Sequence, residues 1–254
     1  MIALLFVIGL RVVSLAPNIT EIIYAIGADS ELVGVVTPCD YPPGIDKPIV
    51  GSFMVPNYEK IQVLKPDIVL ITGGVQERIA EELNKLGLHV EVIRTESIDE
   101  IFTAIDTIGK LLGHERQADS LVKVLREKLG KVSQPPHRWR VYVEVWYNPI
   151  ITVGRRSYIN EMVQLAGGYN IGDTIDATYP VVSPEWVVTQ NPEVILMLCE
   201  DAPPPSDRIG WQSVPAVRYN RVLMPEDLNI FLRPGPRVVD AIKWLNEKLC
   251  EMKP

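Results

Sequence analysis

Short apolar runs alternate with amphipathic segments from Arg11 to about residue 109. The apolar runs are rich in β-branched residues and predict strands at residues 12–15, 33–36, 68–72 and 90–93. The segments between them predict helices at residues 20–26, 58–64 and 77–86, each followed closely by a glycine or a proline that ends it. This alternation is typical of an α/β unit with a parallel sheet.

The pattern becomes wholly helical from residue 98 to residue 132, where apolar side chains recur at spacings of three and four. Gly113 is expected to divide this stretch and to leave a second helix of about twenty residues, which would span about 30 Å. Two consecutive prolines at 135 and 136 end it. Afterwards the α/β pattern resumes, with strands predicted at 141–145, 194–198 and 222–224 and a closing helix at 237–250.

The chain contains an internal echo. Residues 59–71 (EKIQVLKPDIVLI) and residues 185–197 (EWVVTQNPEVILM) each read as a short helix, a proline, an acidic residue and a buried strand. Such helix–proline–strand junctions are also common in unrepeated α/β proteins. The echo favours two similar lobes, at residues 11–110 and 137–254, joined by a backbone helix and linker at residues 111–136.

The composition and charge of the chain exclude some classes of function. The net charge of −7 and the pI near 5.1 argue against a nucleic-acid partner, because binding nucleic acid requires clustered Lys and Arg.

The ten apolar N-terminal residues form a segment that is too short to span a bilayer; they resemble part of a secretory signal, or else form a buried first strand. Three cysteines without CxxC spacing indicate neither a zinc site nor a disulfide framework.

Catalytic signatures are missing from the sequence. None of the three histidines has a second metal ligand at helical spacing, and there is no nucleophile elbow, P-loop, GxGxxG or HExxH motif. The sequence therefore favours a binding protein over an enzyme, with no catalytic or metal-binding residues and no cofactor.

Aromatic and polar residues instead follow the ends of the predicted strands, where open α/β sheets place their ligands. Aromatic faces combined with a few polar groups suit a large, partly apolar ligand. The candidates are Pro17, Asp40, Tyr41, Ser52, Phe53, Trp146, Tyr147, Asp227, Phe231 and Arg233.

Several segments in combination resemble the helical-backbone substrate-binding proteins of ABC importers. They are residues 11–27, 32–35, 39–43 (CDYPP), 50–52, 64–69 and 166–171, and the likeness runs from about Arg11 to Cys250. The CDYPP run and the ending at residues 233–237 (RPGPR) are similar to those of the cobalamin-binding branch.

This resemblance implies two lobes, each a mainly parallel sheet flanked by helices, joined by one long helix with a ligand cleft between them. It implies a monomer, periplasmic or extracytoplasmic, in some members anchored to the membrane at the N-terminus. Cobalamin or another corrinoid would be the transported ligand, and the transmembrane subunits of an importer would be the partner.

The resemblance also assigns roles to individual residues. It implies cobalamin contacts for Asp40, Tyr41, Tyr179, Trp211, Asp227 and Arg233, although the loop from Asp227 to Arg233 is longer than in some members. Glu77 and Glu200 would engage arginines of the transporter. The alternative for Glu77 is an ordinary carboxylate at a helix N-terminus, and the alternative for Trp211 is a buried indole.

Other ligands remain open at this point. A ferric siderophore or haem carrier on the same fold would explain the aromatic residues equally well. A metal-ion carrier or a metalloenzyme would need converging His, Asp and Glu side chains, for which the sequence has few histidines.

Overall fold

The structure, a computed structural model, describes residues 9–253. The chain forms two compact units, one built from residues up to Thr95 together with Asp99–Val124, the other from Glu96–Ile98 and residues from Leu125 onward. Most of the N-terminal segment expected to be a secretory signal lies outside the described residues. Within them, no helix is both long enough and apolar enough to cross a membrane.

A five-stranded sheet with all strands parallel forms the centre of the first unit. Its spatial order is β3-β2-β1-β4-β5. In chain order the elements are β1 (Val12–Ser14), α1 (Pro17–Ala25), β2 (Leu32–Thr37), β3 (Ile49–Ser52), α2 (Tyr58–Val63), β4 (Ile68–Thr72), α3 (Glu77–Lys85) and β5 (Val90–Ile93). The four predicted strands are confirmed, and β3 is an addition that the sequence pattern did not reveal.

Two helices follow, α4 (Ile98–Leu112) and α5 (Glu115–Leu129). The predicted break at Gly113 is confirmed, and Gly113 adopts a positive φ of 74° that favours glycine. The second helix has fifteen residues instead of the expected twenty, which corresponds to about 22 Å. It ends one residue before Gly130, a poor helix former.

The second unit has its own five-stranded sheet, in the order β10-β9-β6-β7, with β8 also paired to β6. All pairings are parallel except that of β6 with β7. The elements are β6 (Arg140–Trp146), β7 (Ile151–Thr152), α6 (Tyr158–Leu165), β8 (Tyr169–Asn170), α7 (Pro184–Gln190), β9 (Val194–Met197), α8 (Pro215–Arg218), β10 (Val222–Leu223), α9 (Asn229–Leu232) and α10 (Val238–Glu251). Short 3-10 helices lie at Ile171–Thr174, Pro205–Asp207 and Trp211–Ser213.

The internal echo is present in the structure as α2 followed by β4 and α7 followed by β9, and hydrogen bonds repeat along with it. In the first unit the backbone N–H of Arg11 donates to Asp67 Oδ2 at 2.8 Å, and the Arg11 guanidinium donates to Leu64 O, just past α2, at 2.6 Å. The residue before β1 is thereby bound to the helix–proline–strand junction.

The second unit has the same arrangement of hydrogen bonds. The backbone N–H of Arg140 donates to Glu193 Oε2 at 3.0 Å, and its guanidinium donates to Gln190 O, the last residue of α7, at 2.6 Å. Burial tends to raise the Glu193 pKa, but hydrogen bonds from the Arg140 amide and His137 outweigh it and lower that pKa. The acidic residue after each proline thus fixes the start of the neighbouring parallel strand.

We expect Glu193→Ala to lower the free energy of unfolding by about 1–3 kcal/mol, because the Arg140 amide loses a charged acceptor. Because the folded-state pKa of Glu193 is lowered, its contribution to the free energy of unfolding is present at neutral pH. This contribution is lost as the pH falls below the ordinary glutamate pKa. Urea unfolding at pH 7 and at acidic pH measures both effects. Glu127→Ala, on the exposed face of α5, is the control and should cost less than about 0.5 kcal/mol. Equal losses in both variants would contradict the assigned role.

Candidate functional site

The predicted site residues of the first unit follow the carboxyl ends of its parallel strands. Pro17 begins α1 shortly after β1, Asp40 and Tyr41 lie in the loop after β2, and Ser52 ends β3. Asp40 and Tyr41 are exposed, whereas Ser52 is half-buried and its hydroxyl accepts a hydrogen bond from the Val55 N–H. Phe53, also half-buried, packs against the hydrophobic core of this unit. The expected placement at one end of the sheet is therefore observed.

A buried glutamine that sequence reasoning missed ties these loops together. Gln76 is fully buried, and its amide nitrogen donates to Leu15 O and to Phe53 O, both at 2.7 Å. Its amide oxygen accepts from the Thr72 N–H at 3.0 Å. One neutral side chain thus joins the loops after β1, β3 and β4. Its position immediately before Glu77 was the only signal in the sequence.

Glu77 is the first residue of α3, and its side chain is 55% exposed. One carboxylate oxygen lies 3.8 Å from Arg94 Nη2 and 3.4 Å from the Gly74 N–H. This placement agrees with a docking role and equally with an ordinary carboxylate at a helix N-terminus. Glu200, the second expected docking residue, is exposed in the turn after β9.

A cavity of about 560 Å³ lies at the carboxyl ends of β6 and β9. Trp146 and Tyr147, both partly exposed, contribute aromatic surface, and α9 closes another side. Its charged lining residues are the acids Glu200 and Asp201. The full lining is Val145, Trp146, Tyr147, Asn148, Leu198, Cys199, Glu200, Asp201, Ala202, Leu228, Asn229 and Leu232.

A second cavity of about 720 Å³ shares Tyr147 and Asn148 with the first. Three prolines and several aliphatic side chains make most of its lining apolar, and Asp207 and Arg208 are its charged members. The lining consists of Tyr147, Asn148, Pro149, Ile150, Val182, Pro184, Pro203, Asp207, Arg208, Ile209 and Trp211.

A buried ion pair lies beside both cavities. Glu144, in β6, has no exposed surface, and Arg208 binds it in a bidentate manner, with Nη1 2.6 Å from Oε2 and Nη2 2.7 Å from Oε1. The Tyr142 hydroxyl also donates to Glu144, at 2.9 Å. The Cys199 thiol lies 3.7 Å from Glu144, and burial, together with the Glu144 charge, raises the thiol pKa to about 11. Cys199 is therefore a neutral thiol at physiological pH.

The same guanidinium contacts two predicted site residues. Its carbon lies 4.8 Å from the ring centre of Tyr147 and 4.6 Å from that of Trp211. Trp211 is only 1% exposed and packs edge-on against Tyr142. Of the two readings of Trp211, the structure has the buried indole: it contributes to the lining of the second cavity and packs against Arg208 and Tyr142.

The remaining predicted residues of this unit do not line either cavity. Phe231 is fully buried edge-on against Trp244, and Arg233 is 8% exposed, so both are buried in this structure. Asp227 is partly exposed and pairs with Arg237, which lowers its pKa against the opposing effect of burial. Tyr179 is 44% exposed and hydrogen-bonds to Ser157 and Tyr158.

The described residues contain no group of three or more His, Cys, Asp and Glu side chains placed to hold a metal ion. What the second unit offers is aromatic and apolar surface with amide and carboxylate groups at its edge. Such a surface suits binding of an organic ligand through shape and stacking.

Comparison with known proteins is consistent with this geometry. A protein-family model described as a periplasmic binding protein matches residues 12–226. An uncharacterized ABC transporter substrate-binding lipoprotein of Bacillus subtilis is 31% identical over 94% of this chain and 79% of its own.

Two solved structures are similar along nearly the whole chain. A periplasmic vitamin B12-binding protein of Vibrio cholerae is 29% identical, with a TM-score of 0.78 over 94% of this chain and 96% of its own. A periplasmic haem-binding protein of a Roseiflexus species, in apo form, has a TM-score of 0.84 at 24% identity, over 96% and 98% of the two chains, and so shares the fold.

These likenesses confirm the resemblance drawn from the sequence and the α/β fold with mainly parallel sheets. Proteins of this kind bind a ligand that is their cargo, so the chain is not an enzyme and uses no cofactor. The chain belongs to the periplasmic binding protein family and is a substrate-binding protein of the ABC import type.

Proposed function

We propose that this protein captures cobalamin or a related corrinoid outside the cytoplasm and delivers it to an ABC importer. The observation that carries the proposal is the 560 Å³ cavity of the second unit, which combines aromatic walls with amide and acidic groups. Its described lining includes no Lys, Arg or His. A corrinoid presents a broad apolar ring and a periphery of neutral amides, which such a lining accommodates by contact area and hydrogen bonding.

Haem or a ferric siderophore is the second candidate, supported by the fold shared with a haem-binding protein and by the same aromatic walls. Haem carries two propionates, and ferric siderophores of the catecholate and carboxylate types are anionic. Binding such groups in a partly buried site requires a cation to offset their desolvation. Arg208 is the one cation among the described residues that line either cavity, and Glu144 already neutralises it. This charge distribution favours the corrinoid.

The proposed ligand contacts follow from exposure in each unit. In the second unit they are Trp146 and Tyr147, which line the first cavity, with Tyr179 and Asp227 retained as exposed candidates. In the first unit they are Pro17, Asp40, Tyr41, Ser52 and Phe53, at the carboxyl ends of the strands. Trp211, Phe231 and Arg233 are assigned supporting roles because they are buried.

Extracytoplasmic location is part of the proposal. The family is periplasmic, and the Bacillus subtilis relative is a lipoprotein. We further propose that Glu77 and Glu200 dock the protein on the transmembrane subunits, because Glu77 is exposed at the start of α3 and Glu200 is exposed in the turn after β9.

Isothermal titration calorimetry with cyanocobalamin tests the ligand assignment. We expect tight binding of one corrinoid per chain and weaker binding of haemin. Trp146→Ala should weaken corrinoid binding about fivefold to 150-fold, because it removes about 1–3 kcal/mol of apolar contact. Tyr219→Ala is the control, because Tyr219 is also exposed but lines neither cavity. Absence of heat with cyanocobalamin at micromolar protein would overturn the proposed function.

Charge reversal tests the docking assignment. Glu77→Lys should leave the corrinoid Kd unchanged and slow uptake into cells or importer-containing vesicles, because it places a repulsive charge where the transporter binds. Glu81→Lys, an exposed change on the same helix, is the matched control and should leave uptake near the wild-type rate. Uptake by Glu77→Lys as fast as by the wild type would refute the docking role of Glu77.

A further inference from the structure

Arg208 is the single cationic residue among the described residues that line the two cavities. The other charged lining residues are the acids Glu200, Asp201 and Asp207. Whether a ligand with a carboxylate can bind here therefore depends on whether Arg208 is free to pair with it.

Protein groups already occupy the Arg208 guanidinium. Four of its five N–H groups donate hydrogen bonds, two to the Glu144 carboxylate and two to Pro203 O at 2.9 and 3.0 Å. The rings of Tyr147 and Trp211 lie against it. With 5% of its side chain exposed, Arg208 has little surface left for an incoming anion.

In the part of the chain that the structure describes, Arg208 is the only charged group hydrogen-bonded to the Glu144 carboxylate. The carboxylate is also close to the Tyr142 hydroxyl and the Cys199 thiol, both neutral groups. The Tyr142 pKa is raised well above its ordinary value by burial and then by the Glu144 charge, as the thiol pKa is, so neither adds an anion to the cluster. Replacing the Glu144 carboxylate with an amide would leave a net positive charge at the Tyr147 wall.

We propose that Glu144 is a specificity-determining residue that acts through Arg208: by neutralising the only cation in the described lining of these cavities, it makes the site reject ligands with peripheral carboxylates and accept those with neutral amides. The inference deepens the proposed function and rests on it for the identity of the ligand. The charge relation between Glu144, Arg208 and a ligand carboxylate can be tested with any carboxylate-bearing tetrapyrrole.

The test compares cyanocobalamin with its monocarboxylic acids, in each of which one peripheral amide is hydrolysed to a carboxylate, and with haemin. Affinities are measured for the wild type, Glu144→Gln, Arg208→Met and the double variant. For Glu144→Gln we expect the affinity for at least one monocarboxylic acid and for haemin to rise about tenfold or more, with a gain that shrinks in high salt. Its affinity for cyanocobalamin should change less than about threefold.

Glu144→Gln leaves a buried guanidinium without its counter-charge, which is destabilising. If this variant folds poorly, the Arg208 variants provide the test. Replacing both partners leaves no charge, so the double variant should keep the wild-type preference for the amide over the acid. Arg208→Met alone leaves Glu144 buried without its counter-charge, so burial favours the protonated acid; acid binding should weaken further only at a pH high enough to ionise Glu144. A preference that is the same in all folded variants would overturn the role of Glu144.

The two proposals fail in different ways. If the wild type binds neither cyanocobalamin nor its acids, the corrinoid assignment is wrong. The haemin affinities of the same variants then still test Glu144. Affinities that rise as the net charge of the Glu144–Arg208 pair becomes more positive would support its role. If cyanocobalamin binds tightly while the variants do not change the preference, only the inference about Glu144 is wrong.

Discussion

The wall that the two cavities of the second unit share depends on one buried carboxylate, that of Glu144. Glu144 lies near the end of β6 without exposed surface, and a carboxylate in such a place costs several kcal/mol of desolvation unless it is paired and hydrogen-bonded. Arg208 supplies the pairing, and Tyr142 supplies a further hydrogen bond. The same guanidinium contacts Tyr147 and Trp211, so neutralising Glu144 also positions the wall shared by the two cavities.

In the first unit, a neutral group fixes the loops at the carboxyl ends of the strands. Its strands also end together, and the loops after them must be held in fixed positions for their exposed residues to form a surface. Gln76 does this with three hydrogen bonds to backbone groups from its buried side-chain amide. Below these loops, both units use the repeated arginine, proline and acidic residue to bind a helix end to the start of a strand. The repeat therefore lies in the scaffold, and the ligand-facing ends differ in chemistry.

Much of the scaffold could be predicted from the sequence because burial on both faces makes parallel strands continuously apolar. The strands β4 and β9 and the break at Gly113 follow directly from that pattern and from glycine chemistry. The short strands β7 and β8, of two residues each, carry no such periodicity. The pair of Glu144 with Arg208 joins residues 64 apart, and nothing local marks either as a partner. The sequence placed aromatic residues near strand ends but did not distinguish exposed Trp146 from buried Trp211 and Phe231, because that difference is set by tertiary packing.

The most direct test of a carrier for neutral, amide-rich tetrapyrroles is competition between ligands for the intact protein. The protein is incubated with equal concentrations of cyanocobalamin and haemin, separated from free ligand, and analysed for cobalt and iron. One cobalt per chain with only traces of iron is the result expected from the charge distribution around Tyr147. Stoichiometric iron without cobalt would contradict it.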